Sequence, residues 1–174
     1  MDVPRLLAQL QASEFQDLAG SHLSARVPVS GALLNQIVAD VLQTTSAPVR
    51  SVRLRPLAGE RFEAVVTTTL PFVPALTVRI GIEQQARLPD TPYIVLRWSL
   101  FGGLGAFAAR FVGALEQKLP PGIRLDGDRI FVDVAAMVRR FAPVGPIDPM
   151  RFLTLFEIHT ADDRAIVDVE ALVR

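Results

Sequence analysis

Apolar and polar residues alternate over much of this chain, and helical spacing takes over in only a few stretches. "HLSARVPV" places Leu23, Ala25, Val27 and Val29 on one side, the period-two pattern of a half-buried strand. In "GALLNQIVADVLQ" Leu33, Leu34, Ile37, Val38, Val41 and Leu42 recur at steps of three and four, which predicts a helix with Ser30 as its N-cap. Three alternating runs follow, Val49 to Pro56, Arg61 to Leu70 and Leu76 to Gln84, and then "YIVLRWSLF". The connections between them are too short for a crossover, so neighbours must run antiparallel and form a four-strand meander. Leu104, Phe107, Ala108, Phe111, Val112, Leu115 and Leu119 predict a second, longer amphipathic helix, stopped by Pro120-Pro121-Gly122. "GIRL" and "RIFVDV" read as a small hairpin turning at Asp126-Gly127, "DVAAMVRRF" as a short helix, and "MRFLTLFEIH" with "AIVDVEALV" as a closing hairpin.

Ahead of these elements, residues 1–19 carry a short amphipathic stripe (Val3, Leu6, Leu7, Leu10) and a Ser13–Gln16 capping box, an N-terminal helical segment on a single domain of residues 1–174. The order of elements is that of an α+β protein built on an antiparallel sheet. Several strands are apolar on both sides: Ile94, Leu96, Trp98 and Leu100 oppose Tyr93 and Val95, and Phe152, Phe156 and Ile158 oppose Leu153 and Leu155. Such strands call for cover on both faces, from helices, a partner chain or a ligand.

Composition sharpens that demand. Half of the 174 residues are hydrophobic and 21% are charged. The apolar surplus can line a cavity, form a homodimer interface or touch a membrane surface. The net charge of zero gives no bulk attraction to nucleic acid, which is not expected as a partner. With no cysteine there is no disulfide, thiol nucleophile or cysteine metal site. The N-terminus lacks the basic segment and long apolar core of a signal peptide, and no run approaches the roughly 18 apolar residues of a membrane span, so the expected location is cytoplasmic.

Few motifs carry chemistry. Gly103-Leu104-Gly105-Ala106-Phe107-Ala108 matches the dinucleotide fingerprint G-x-G-x-x-[GA], with Asp126 downstream. Its context is an antiparallel meander, however, and too little chain follows to supply further βαβ units. A sharp strand-to-helix turn explains the glycines, and a hairpin turn explains Asp126. "HTADD" brings His159, Asp162 and Asp163 close in sequence, but three ligands without a fourth do not make a closed zinc site. Asp126, Asp128 and Asp133 lack the order of a calcium loop. No catalytic residue, cofactor or metal is assigned. Arg53, Arg55, Arg61, Arg79 and Arg97 could form a basic stripe for phosphate or lipid head groups, or could solvate an exposed sheet face.

In its element order the chain resembles the tubular lipid-binding superfamily and the related small bacterial lipid-binding domains. The likeness is carried by "SGALLNQIVADVL" running into "VRSVRLRPLAGERFEAVVTTTL", and by "LEQKLPPGIRLDGDRIFVDVAAMVRRF". It extends from about residue 20 to residue 174 and lies in element order and apolar pattern; the missing export signal departs from many bacterial relatives. The resemblance implies a strongly curved antiparallel sheet wrapped around a long amphipathic helix, with an apolar groove for acyl chains between them. The expected groove residues are Leu34, Ile37, Val41, Phe107, Phe111 and Leu115 from the helices, with Val66, Ile80, Leu96 and Trp98 from the sheet. Ordinary core packing accommodates each of them singly; the expectation concerns the set. Two other functions compete with lipid binding: a homo-oligomeric interaction module without a ligand, and an enzyme holding a nicotinamide cofactor at the 103–108 glycine turn.

Overall fold

The structure, a computed structural model, describes residues 12, 18–43, 49–69, 74–100, 119, 121–141 and 148–173. Among these residues nine strands and two α-helices follow in order: β1 (His22–Ser30), α1 (Gly31–Gln43), β2 (Val49–Leu57), β3 (Arg61–Thr68), β4 (Leu76–Gln84), β5 (Tyr93–Leu100), β6 (Ile123–Asp126), β7 (Arg129–Asp133), α2 (Val134–Phe141), a 3₁₀ turn (Pro149–Arg151), β8 (Leu153–Ala161) and β9 (Arg164–Leu172). The expected α+β architecture on antiparallel sheet is present, and every strand pairing is antiparallel. The N-terminal helical stripe, the 103–108 glycine turn and the helix predicted over 104–119 fall outside the described residues, apart from Leu119.

The meander forms as expected, with β2, β3, β4 and β5 adjacent in that order. β7 then adds beside β5, and β6 closes the sheet at six strands. β5 therefore lies inside this sheet, not at an edge. β1 joins a separate three-stranded sheet in the order β1-β9-β8. A one-residue slip would turn every side chain of a strand to the opposite face, so register decides which residues meet. Register sets Leu54, Ala64, Val78 and Leu100 in one row across β2 to β5, and Ile82, Leu96, Ile130 and Leu125 in another. The opposite face carries Arg55, Glu63, Arg79 and Ser99, then Arg61, Gly81, Arg97 and Arg129.

Side-chain carboxamides seal two sheet edges. From α1, Asn35 accepts from the Leu54 N–H at 2.7 Å and donates to the Leu54 C=O at 2.8 Å, filling the outward backbone positions of β2 as a further strand would. Two residues on, Pro56 has no N–H to leave unpaired, and its C=O accepts from the Asp163 N–H at 3.1 Å. Gln85 treats β8 in the same way, donating to the Ile158 C=O at 2.6 Å and accepting from its N–H at 3.1 Å. These bonds hold α1 and the β8–β9 sheet against the meander.

The core lies where the two sheets and α2 meet. Ala86, Ile94 and Val134 are buried there, with Ile82, Leu96, Val132, Val138, Phe156 and Ile158 packed around them. Each such aliphatic side chain contributes about 2 kcal/mol when fully buried. Both helices are capped as their sequences require: the Leu33 N–H donates to Ser30 Oγ at 3.2 Å, and the Ala136 N–H to Asp133 Oδ1 at 3.0 Å.

Two expectations change. β1 is exposed along nearly all of its length, with Leu23 54% and Val27 48% accessible, because only β9 pairs with it and nothing described lies over it. In β8 a bulge between Leu153 and Leu155 shifts the register, so Leu153 faces Ala171 and Phe156 faces Val169, on one side. Leu155 opposes Glu170 on the other side. Simple alternation had put Leu153 and Phe156 on opposite sides; the extra residue reverses the phase.

Gly122 opens the β6–β7 hairpin with φ of +92°, and a Cβ there would stand 2.7 Å from Ala136 Cβ on α2. Gly127, in the hairpin turn, has φ of +58° and open space around it. Gly122→Ala is expected to cost about 2–4 kcal/mol in urea unfolding, from left-handed strain plus collision, and Gly127→Ala about 1 kcal/mol from strain alone. Equal costs would contradict this account of the β6–α2 junction.

Candidate apolar binding site

One face of the six-stranded sheet is apolar from β2 to β6, and it serves two purposes. At one end Ile82, Ile94 and Val132 are covered by α2 and by Phe156 and Ile158 of β8. Over the rest, the sheet walls a cavity of about 320 Å³, within the range of small-molecule sites. β2 supplies Val52 and Leu54, β3 Ala64 and Val66, β4 Leu76, Val78 and Ile80, and β5 Leu96, Trp98 and Leu100. The β6–β7 hairpin adds Ile123, Leu125, Ile130 and Val132, and Leu119 completes the wall with Leu42 and Val49. All of these residues are apolar. Val66, Val78, Ile80, Leu96 and Trp98 are half-buried, unlike the closely packed Ile94 and Val134 beside them.

The structure thus brings Val66, Ile80, Leu96 and Trp98 together on one wall. It does not bring Leu34, Ile37 and Val41 there. Asn35 fixes α1 across the edge of β2, not over the sheet face, so only the last turn of the helix reaches the cavity, through Leu42. Ile37 is 37% exposed, while Leu34 and Val41 are half-buried elsewhere. Phe107, Phe111 and Leu115 lie outside the described residues. Sequence reasoning missed Val52, Val78, Ile130 and Leu125; their signal was the alternation of each strand combined with cross-strand register.

The opposite face shows what became of the arginine stripe. Arg129 grips Glu83 with two bonds of 3.0 and 2.7 Å, and Arg97 lies 3.5 Å from Glu83 and 3.3 Å from Asp128. Arg55 meets Asp163 at 3.2 Å, and the guanidinium of Arg61 bonds the Ala58 C=O. Paired in this way, the arginines solvate and cross-link the outer face. Arg124 lies over the Phe131 ring, 4.5 Å from its centre.

His159 does not gather Asp162 and Asp163. Its Nδ1 lies 3.1 Å from Glu60, and its Nε2 3.3 Å from Glu157 and 3.7 Å from Asp168. Together with the bond from the Arg61 N–H to Thr160 Oγ1 at 2.9 Å, this ties the β2–β3 turn to β8. Among the described residues no cluster of His, Asp or Glu could hold a metal ion. The strand that leads into the glycine fingerprint, β5, runs antiparallel to both of its neighbours, whereas a dinucleotide fold needs parallel strands there. No helix among the described residues is long and apolar enough to cross a membrane.

Three carboxyls on this framework are held below their ordinary range by arginine hydrogen bonds: Asp168 by Arg26, Glu83 by Arg129 and Asp148 by Arg139. Compared with known protein families, with curated proteins and with solved structures, the chain matches none.

A depressed folded pKa stabilises the fold above the unfolded value of about 4, and that contribution is lost as the pH falls through the folded value. The urea midpoint should therefore stay level from pH 7 to about pH 5 and decline below about pH 4. Asp168→Asn should flatten part of the decline. A midpoint that rises on acidification contradicts the assignment.

Proposed function

We propose that the protein binds a lipid or another long apolar molecule, without catalysis, in the groove walled by the six-stranded sheet. The supporting observation is the division of one continuous apolar face. Its covered end is packed as core, while the end bearing Val66, Val78, Ile80, Leu96 and Trp98 encloses some 320 Å³ with no polar residue on its described wall. A site of this composition gains affinity from area removed from water, at ~0.8 kcal/mol per buried CH₂, and requires no polar motif. The finer architecture implied by the tubular lipid-binding resemblance, a strongly curved sheet wrapped around a long helix, belongs to the same proposal. So does contact with a membrane surface, from which such a ligand would be drawn.

A second reading is favoured by a different set of residues. Leu23 and Val27 on β1 and Leu33 and Ile37 on α1 are exposed large hydrophobic residues, as a homodimer interface would require. The two readings use different faces and can be separated.

Native mass spectrometry of the purified protein, followed by solvent extraction, is expected to show a lipid bound at near one to one. Val78→Phe, which adds bulk inside the cavity, should reduce uptake of the neutral fluorophore N-phenyl-1-naphthylamine at least tenfold, with the melting midpoint shifted by only a few degrees. Leu23→Ser should leave uptake unchanged. A ligand-free dimer that fails to take up the fluorophore would contradict lipid binding and favour the interaction module.

A further inference from the structure

We infer that the outer face of the six-stranded sheet carries a second site, for a small aromatic carboxylate, in the hollow between the end of β4 and the turn that joins β4 to β5. This site lies on the opposite side of the sheet from the apolar cavity and does not depend on the function proposed above.

The hollow holds about 510 Å³, within the range of small-molecule sites. Register builds its floor: Gln84 stands opposite Val95, and Val95 opposite Phe131, on the face away from Ile82 and Leu96. A bulge between Ile82 and Gln84 sets Glu83 and Gln84 in succession on that outer face, where plain alternation would have turned one of them inward. The turn after β4 forms the rim. There Arg87 and Thr91 exchange two backbone hydrogen bonds, of 2.9 and 2.7 Å, which fix both residues at the edge of the hollow.

Charge selects an anion. The lining has two guanidinium groups, Arg87 and Arg129, and one carboxylate, Glu83. Arg129 grips Glu83 with two hydrogen bonds and holds its carboxyl below the ordinary range, so at neutral pH these two charges cancel. Arg87 has no hydrogen-bond or ion-pair partner among the described residues, and its positive charge is left over. Its planar fork matches both oxygens of a carboxylate, with the Thr91 hydroxyl and the Gln84 carboxamide on the same lining as further donors. A phosphate dianion would exceed that single charge and be repelled by Glu83.

The floor selects the body of the ligand. Val95 and Phe131 form an apolar step between the polar groups, and Arg124 lies over the Phe131 ring from β6. A flat ring laid on this step is removed from water and meets an aromatic neighbour. At roughly 30 Å³ for each water-sized group, the volume admits two fused rings and their carboxylate.

2-Naphthoate and its neutral amide, 2-naphthamide, are titrated at pH 7 into methyl-labelled protein. 2-Naphthoate is expected to shift the methyl resonances of Thr91 and Val95, to leave those of Val78 and Ile80 unmoved, and to bind at least about fivefold more tightly than the amide. Arg87→Gln keeps the backbone bonds to Thr91. It should weaken 2-naphthoate about five- to twentyfold and remove the preference for the acid, with the melting midpoint unchanged. Val78→Phe, on the other face, should leave 2-naphthoate binding as it is. No shift at Thr91 and Val95, shifts confined to Val78 and Ile80, equal affinity for acid and amide, or undiminished binding by Arg87→Gln would each overturn the inference, whatever the apolar cavity binds.

Discussion

Strand register in the six-stranded sheet is the constraint on which the rest of this molecule depends. Because Leu54, Ala64, Val78 and Leu100 align in one row and Ile82, Leu96, Ile130 and Leu125 in another, most of the large aliphatic groups of β2 to β7 fall on the same side. The ion pairs of the outer face need the same alignment. Arg97 and Arg129 stand directly opposite each other on β5 and β7, so Glu83 can reach both. A slip of one residue between any two strands would bury guanidinium groups and expose a row of aliphatic side chains. The outer ion pairs, individually weak at the surface, therefore reinforce a register that the apolar rows already impose.

From that register follows the difference between core and cavity. β8 and α2 reach only one end of the apolar face, where Phe156, Ile158 and Val138 complete a close-packed cluster with Ile94 and Val134. Their position is set by directed polar bonds. Gln85 anchors β8 through both backbone groups of Ile158, and Asn35 anchors α1 at Leu54. With α1 held across the edge of β2, Leu42 is its one residue on the described wall of the cavity, and that wall is otherwise built mostly from strands.

Much of the strand order was legible in the residues themselves. The alternating runs beginning at Val49, Arg61, Leu76 and Tyr93 correspond to β2 to β5, and Ser30 caps α1, because period-two alternation and capping are local properties. What remained hidden depends on distant partners. Pairing of β1 with β9 joins residues more than 130 positions apart, and nothing in "HLSARVPV" names its partner. The bulge in β8 leaves no mark in an apolar run such as "LTLF", where either phase looks equally buried. Asn35 looks like one more polar residue on a helix until β2 lies beside it. For the same reason Val66, Ile80, Leu96 and Trp98 could be placed on an inward face from sequence, whereas the helix residues expected there, Leu34, Ile37 and Val41, are not among those lining the cavity, which α1 reaches only through Leu42.

The central claim is that one face of the six-stranded sheet, and not the exposed surface of β1 and α1, receives an apolar molecule. Methyl-labelled NMR during a titration with methyl decanoate tests it directly, because valine and isoleucine methyls report on both faces of the same strands. Shifts at Val52, Val66, Val78, Ile80 and Ile130, with Val65 and Val95 on the opposite face unmoved, are the predicted result. Shifts concentrated at Leu23, Val27, Leu33 and Ile37, or no shifts at all, would contradict it.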